Sequence, residues 1–201
     1  QTTKLYLKML PKWMSQPLTG ESAIRLGAIR REDRSSEIRF SLRCDVDEAS
    51  TMKIEELLQA DADPTTSLAQ NPVELSPDQV SGLLTGSIDV AFRHDGKFYI
   101  VDWKSNMLGP KPEDYRPEVM EAEIAAHKYH LQYTIYAAVF HMHMKSLVAD
   151  WDYEKHFGGC HYLFMRAFGC GQTGFGDHSH RPKYATIQGL LEILGHPQSR
   201  T

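Results

Sequence analysis

The apolar positions of this 201-residue chain change period several times, and each change marks an element. Leu5, Leu7, Met9, Leu10, Trp13 and Met14 predict a short helix despite Pro11. Glu37 to Cys44 (EIRFSLRC) alternates Ile38, Phe40 and Leu42 with polar neighbours, the pattern of a half-buried strand. A polar section follows, from about residue 45 to 80, with one helix near Met52 to Ala60 and then Pro64, Pro72 and Pro77. It reads as an insertion or surface excursion rather than core. The runs IDVAF and FYIVDW then flank His94-Asp95-Gly96-Lys97. After the proline-rich loop MLGPKPEDYRP, Glu118 to Lys145 is expected to be one long helix, and Gly159 to Phe168 a strand. GCGQTGFGDHSHRP reads as a glycine-rich loop, and Lys183 to Leu194 as a final helix. This order predicts a single α/β domain, residues 1–201, with a central mixed β-sheet flanked by helices.

Asp95-Gly96 between two apolar runs favours a two-residue type I′ turn. That turn pairs His94 with Lys97, Phe92 with Tyr99, Ala91 with Ile100 and Val90 with Val101. Carried further, the register sets Asp89 opposite Asp102 and Ser87 opposite Lys104. Alternation would place these four on one face, with the two carboxylate-bearing Cβ atoms ~5 Å apart. Facing carboxylates repel, and a divalent cation removes that penalty. Hard oxygen donors select Mg²⁺, with Mn²⁺ or Ca²⁺ as alternatives. The peptide carbonyl of Trp103, between the two key side chains, is a further candidate ligand. Lys104 is placed to orient an attacking water and offset charge developing on a phosphate. The competing account is a solvated network joining the aspartates to Lys104 or Arg93. The apolar neighbours on both faces (Ile88, Val90, Phe92, Tyr99, Val101 and Trp103 on one; Phe98, Ile100 and Ala91 on the other) argue that the cluster is covered.

An aspartate on one strand followed by Asp-X-Lys on the next resembles the PD-(D/E)XK nuclease fold. More narrowly, GSIDVAFRHDGKFYIVDWKSNMLG, HKYHLQYTIYAAVFH and DYEKHFGGCHYLFMR resemble the nuclease domains of the RecB family, part of the bacterial RecBCD helicase–nuclease (exodeoxyribonuclease V). The likeness is close from about Leu84 to Arg166 and weak before Gly82. It implies a metal-dependent exodeoxyribonuclease acting in double-strand-break repair and recombination. Asp89 and Asp102 would be its metal ligands and Lys104 its catalytic lysine. Gln132 and Tyr136 match the family's Gln-x-x-x-Tyr motif, and residues four apart share a helix face. Glu37 is an accessory candidate. Implied partners are DNA, RecC-like and RecD-like subunits and the RecA recombinase. The family also uses a histidine on a helix well upstream, and this chain has none before His94. A nuclease-like fold kept as a catalytically inactive DNA-binding or docking module is therefore the alternative.

Charge and composition narrow this picture. A formal charge of −4 means that any DNA-binding surface must be a local patch. Cys44, Cys160 and Cys170 form no CxxC pair and suggest free thiols in a reducing, cytoplasmic setting. No apolar run approaches the roughly 20 residues of a membrane span. No GxxxxGK[ST] motif occurs, so ATP-driven unwinding belongs to other sequence. The first residue is Gln rather than Met, which leads us to expect a fragment of a longer chain. His141 and His143, two apart on a helix, make a poor metal pair. His178 and His180 are expected in a solvated loop, and the arginines between Arg25 and Arg43 on a solvated surface.

Overall fold

A computed structural model describes residues 2–62, 74–76 and 82–196. Helix α1 (Thr2–Ser15) runs through Pro11. A short hairpin of β1 (Pro17–Leu18) and β2 (Glu21–Arg25) follows, and then β3 (Arg34–Cys44) and α2 (Glu48–Asp61). The hairpin of β4 (Gly82–His94) and β5 (Lys97–Lys104) leads into α3 (Pro117–Ala126), α4 (Tyr129–Leu147) and the one-turn α5 (Tyr153–His156). Strand β6 (Phe157–Phe164), strand β7 (Asp177–His180) and α6 (Tyr184–Ile193) complete the order.

The five-stranded sheet has the order β3-β4-β5-β6-β7, with β5 and β6 parallel and every other pair antiparallel. A parallel pair needs a long crossover, and α3, α4 and α5 supply it. This mixed sheet between helices is compatible with the PD-(D/E)XK nuclease fold. One face packs on α2, α3, α4 and α6 through residues such as Ile54, Ile88, Ile100, Ala137, Phe164 and Leu191. The other packs on α1 and the β1–β2 hairpin through Trp13, Leu18, Ile24, Phe92, Val101, Leu163 and Phe168.

Asp95 (φ 47°) and Gly96 (φ 77°) both adopt the positive φ that a type I′ turn demands. From His94–Lys97 to Val90–Val101 the pairs are those the turn predicts. Gly158 has a separate reason: a Cβ there would lie 2.2 Å from the Tyr99 ring.

Several elements depart from the sequence pattern. The expected helix from Glu118 to Lys145 is two helices, broken at Lys128, which adopts φ 54° and whose ammonium donates to Glu74 O. Periodicity alone hid this break, because apolar residues continue on both sides of it. Residues 45–80 are not all excursion: Ile54 and Leu58 of α2 are buried and join Leu190 and Leu191 of α6 in the core. Residues 63–73 and 77–81, with Pro64, Pro72 and Pro77, lie outside the described residues. Strand β7 lies inside the expected glycine-rich loop, where DHSH has no apolar alternation to reveal it. Cys44 and Cys160 are buried, Cys170 is partly exposed, and all three are free. Among the described residues no helix is long and apolar enough to cross a membrane.

Candidate active site

The site forms where β4 leaves both of its neighbours. Beside β3, the pairs run from Arg34–Phe92 to Cys44–Gly82, and the Glu37–Asp89 rung alone is missing. Beside β5, pairing ends at Val90–Val101, one rung before Asp89 would meet Asp102. Asp89 therefore sits at a break in both ladders. In place of a main-chain partner, Trp103 N donates to Asp89 Oδ2 at 2.9 Å. Glu37, opposite that gap, holds φ 55°. The backbone turn changes the face on which the strands present their side chains. Ile88 packs with Ala91 against the α4 side, whereas Val90 and Phe92 pack against α1. On β3, Ile38, Phe40 and Leu42 face the α4 side.

This corrects two expectations. Uninterrupted alternation does not survive past Asp89, so Ile88 belongs to the core opposite the one assigned to it. Ser87 does not pair with Lys104 but with Arg39, and its hydroxyl donates to Glu37 Oε2 at 3.4 Å. A carboxylate can accept a peptide N–H as well as a carbonyl can. The strands thus lose one rung at Asp89 without orphaning the Trp103 amide.

Asp102 and Lys104 are on β5 with side chains facing α4, and both are buried, at 5% and 7% exposure. Lys104 Nζ lies 2.7 Å from Asp102 Oδ2 and donates to Gln132 Oε1 at 2.8 Å. Lysine can only donate, so the amide oxygen of Gln132 must be the end that faces it. The Tyr162 hydroxyl donates to the same oxygen at 2.8 Å, and Gln132 Nε2 donates to the Tyr136 hydroxyl at 2.9 Å. Tyr136 also meets the Phe40 ring edge-on, 5.8 Å between centroids, which braces α4 on β3. Asp102, Lys104, Gln132 and Tyr136 are thereby gathered into one cluster, and Asp89 is tied to the same strand through the Trp103 amide. Glu37 adjoins it on the exposed side.

Burial dominates the electrostatics. It pushes the Asp102 carboxyl up, helped by the charge of Asp89 and opposed by Lys104. It pushes the Lys104 amine down, against the pull of Asp102 and Asp89. The charge of Asp89 makes the smallest contribution to both. Burial also raises the Tyr136 hydroxyl.

The groups that could serve a cation are two aspartates and the Trp103 carbonyl. Among the described residues no group of three or more His, Cys, Asp or Glu is placed to hold a metal ion. Two carboxylates with a peptide oxygen still suit a hard cation that keeps several waters, which is how Mg²⁺ is commonly held. Asp102 fits such a role on its own evidence, since among the described residues its side chain is bonded by Lys104 alone.

Three residues around the amine escaped the sequence reading. Tyr129 and Tyr162 place their rings 3.7 and 4.2 Å from Lys104 Nζ, and Asn106 holds Tyr129. The residues stood in DWKSN, HKYHLQY and GCHYLF, but nothing in these segments says that they touch. His178 and His180 are not in a solvated loop. They lie on β7, with His178 Nδ1 3.4 Å from Glu121 Oε2 and His180 Nε2 2.7 Å from Asp61 Oδ2. His141 is buried and accepts from Trp151 Nε1 at 2.9 Å, and His143 is exposed. Arg30 and Arg93 both pair with Asp33 at the surface.

The chain is 34% identical over 197 residues to the RecBCD enzyme subunit RecB of Haemophilus influenzae, a match covering 94% of this chain. It is 40% identical over 116 residues to RecB of Escherichia coli, covering 58% of the chain. RecB of Mycobacterium tuberculosis is 37% identical over 98 residues, covering 48%. The chain belongs to the RecB family. It spans 15% of the length of the Haemophilus RecB and 10% of the Escherichia RecB. No family profile matches the chain.

Proposed function

We propose that this RecB-family chain is a metal-dependent deoxyribonuclease domain that hydrolyses DNA phosphodiester bonds during double-strand-break repair. One observation carries this reading: the pairing of β4 with both neighbours lapses at Asp89, which bonds the Trp103 amide between the buried Asp102 and Lys104. Irregularities of this kind recur next to active sites, where they re-aim a side chain.

Asp89, Asp102 and the Trp103 carbonyl are the groups that would hold Mg²⁺ or Mn²⁺. When bound, the cation supplies Lewis-acid polarisation of the phosphate and lowers the pKa of a water. The protein contributes the rest. Asp102 Oδ2 and Gln132 Oε1 anchor the Lys104 amine, which keeps one N–H to donate to a phosphate oxygen as charge builds at phosphorus. Water adds to phosphorus and the ester oxygen leaves with a proton, giving a phosphomonoester and an alcohol. In the assembled enzyme the partners would be RecC-like and RecD-like subunits and RecA, with ATP-driven unwinding supplied by other sequence.

A second reading is a docking module without catalysis, favoured because among the described residues no group of three or more His, Cys, Asp or Glu is placed to hold a metal ion. Incubating the chain, and a full-length RecB-family protein that carries it, with linear duplex and single-stranded DNA in Mg²⁺ separates the two. Cleavage that Asp102→Ala and Lys104→Ala abolish supports the nuclease. DNA binding without cleavage in both chains, unaffected by either substitution, supports docking.

A further inference from the structure

Lysine is a flexible side chain with a compact charge, and a catalytic amine is useful only if its N–H groups are aimed. Two hydrogen-bond acceptors alone leave the Lys104 ammonium free to pivot about them. Three structural features remove that freedom, and none belongs to the Asp-X-Lys or Gln-x-x-x-Tyr motifs.

The first is Tyr162. It pairs with Asp102 across the parallel β5–β6 ladder and is buried at 1% exposure. Its ring lies 4.2 Å from Lys104 Nζ, and its hydroxyl donates to the Gln132 oxygen that also receives the amine. The second is Tyr129, the first residue of α4, whose ring centroid is 3.7 Å from Nζ. It meets Tyr162 edge-to-face at 5.6 Å, so two π faces bound the ammonium from different sides. The third is Asn106, in the loop beyond β5. Its amide nitrogen donates to Glu123 Oε1 at 2.6 Å and lies 3.1 Å from the Tyr129 hydroxyl, which in turn donates to Asn106 Oδ1 at 3.2 Å. The interruption of the helix at Lys128 lets Tyr129 open a new one with its ring over the amine.

We propose that Tyr129 and Tyr162 are positioning residues that clamp the Lys104 amine between two aromatic faces, and that Asn106 locks the Tyr129 half of the clamp. This rests on the nuclease reading for its consequence but not for its geometry. Asp102 and Gln132 take two N–H groups, the rings close the space around them, and the third N–H is held toward the substrate phosphate. Cation–π contacts favour an ammonium on a ring face, so the clamp aims the amine without competing for its hydrogen bonds. The arrangement also gives Gln132 a role: its amide oxygen receives both Lys104 and Tyr162 and one amide N–H goes to Tyr136, so it orients the lysine.

The test has two independent arms. In the first, the chain is made with ¹³C-labelled lysine, and the Lys104 ε-methylene signal is assigned by its loss in Lys104→Met. Two adjacent rings should shift that signal upfield of the other lysines. Tyr129→Leu should move it back, and Tyr129→Phe should largely retain the shift. An ordinary position in the parent, or no response to Tyr129→Leu, overturns the clamp whatever the activity. In the second arm, DNA cleavage is measured for Tyr129→Leu, Tyr129→Phe, Tyr162→Phe and Asn106→Ala. Tyr133→Phe serves as a control, being a buried tyrosine that packs on Tyr162 at 5.9 Å without touching Lys104. Tyr129→Leu, which removes a ring face, should lower kcat about tenfold with KM unchanged, and Tyr162→Phe, Tyr129→Phe and Asn106→Ala, which keep both rings, by about threefold. Wild-type kcat in Tyr129→Leu, or an equal fall in Tyr133→Phe, overturns it. Full cleavage by Lys104→Ala would instead sink the nuclease mechanism and leave the spectroscopic arm standing.

Discussion

Asp61 and Asp102 are buried to nearly the same degree, at 6% and 5% exposure, and each faces a nitrogen base at 2.7 Å. Their carboxyls nevertheless shift in opposite directions. Burial pushes Asp61 up, but hydrogen bonds from His180, Thr186 and the Lys183 amide outweigh it, and the group ends below its ordinary value. Burial also pushes Asp102 up, and Lys104 does not cancel it. Asp61 accepts from His180 Nε2, Lys183 N and Thr186 Oγ1, all at 2.7 Å, and so fastens α2 to β7 and to the start of α6. Among the described residues Asp102 has Lys104 alone. A carboxylate whose lone pairs are filled by the protein is a structural fastener. One left short of donors has room for a cation.

The largest expected contrast comes from two matched substitutions. Asp102→Asn should reduce cleavage about 1000-fold, as loss of a key electrostatic group does, with a melting temperature close to the parent's. Asp61→Asn should do the reverse, lowering stability by about 3 kcal/mol in denaturant titrations while the folded fraction cleaves normally. Loss of activity in the second, measured well below its melting point, would break the distinction.

Magnesium should sharpen the contrast next. At a hundredfold excess over its dissociation constant the ion should stabilise the parent by about 2.7 kcal/mol. Asp61→Asn should show the same increment in thermal unfolding, and Asp102→Asn none.

The smallest effect concerns pH. Burial lowers His130 and His178 from 6.5 to about 4. Unfolded rings take up protons near 6.5 and the folded rings do not until about 4. The unfolded state therefore binds more protons in that window, and stability falls as pH falls. Between pH 7 and pH 6 the two together should cost about 1–2 kcal/mol. His130→Phe should flatten the dependence measured by chemical denaturation, and an unchanged slope would remove His130 from the account.

Much of this site was legible because its signals are local. Asp95-Gly96 fixes the turn, and the turn fixes the next four rungs of the ladder, down to Val90–Val101. Gln132 and Tyr136 meet through helical spacing alone. The sequence could not show where alternation stops, since Glu37 and Asp89 look like ordinary polar strand positions until the ladders on both sides of Asp89 are seen to lapse. Nor could it show α2 in the core or β7 as a strand. The first depends on Ile54 and Leu58 meeting α6, and the second on histidines held by Asp61 and Glu121. The clamp on Lys104 was hidden for the same reason, because Asn106, Tyr129 and Tyr162 come together only through the crossover.

The change of face at the Glu37–Asp89 rung bears on how relatives should be aligned. Any comparison that scores this ribbon for strict odd–even hydrophobicity will shift one half by a position, pairing solvent-facing residues with core ones. The acid at residue 89 is the landmark from which each half should be read outward.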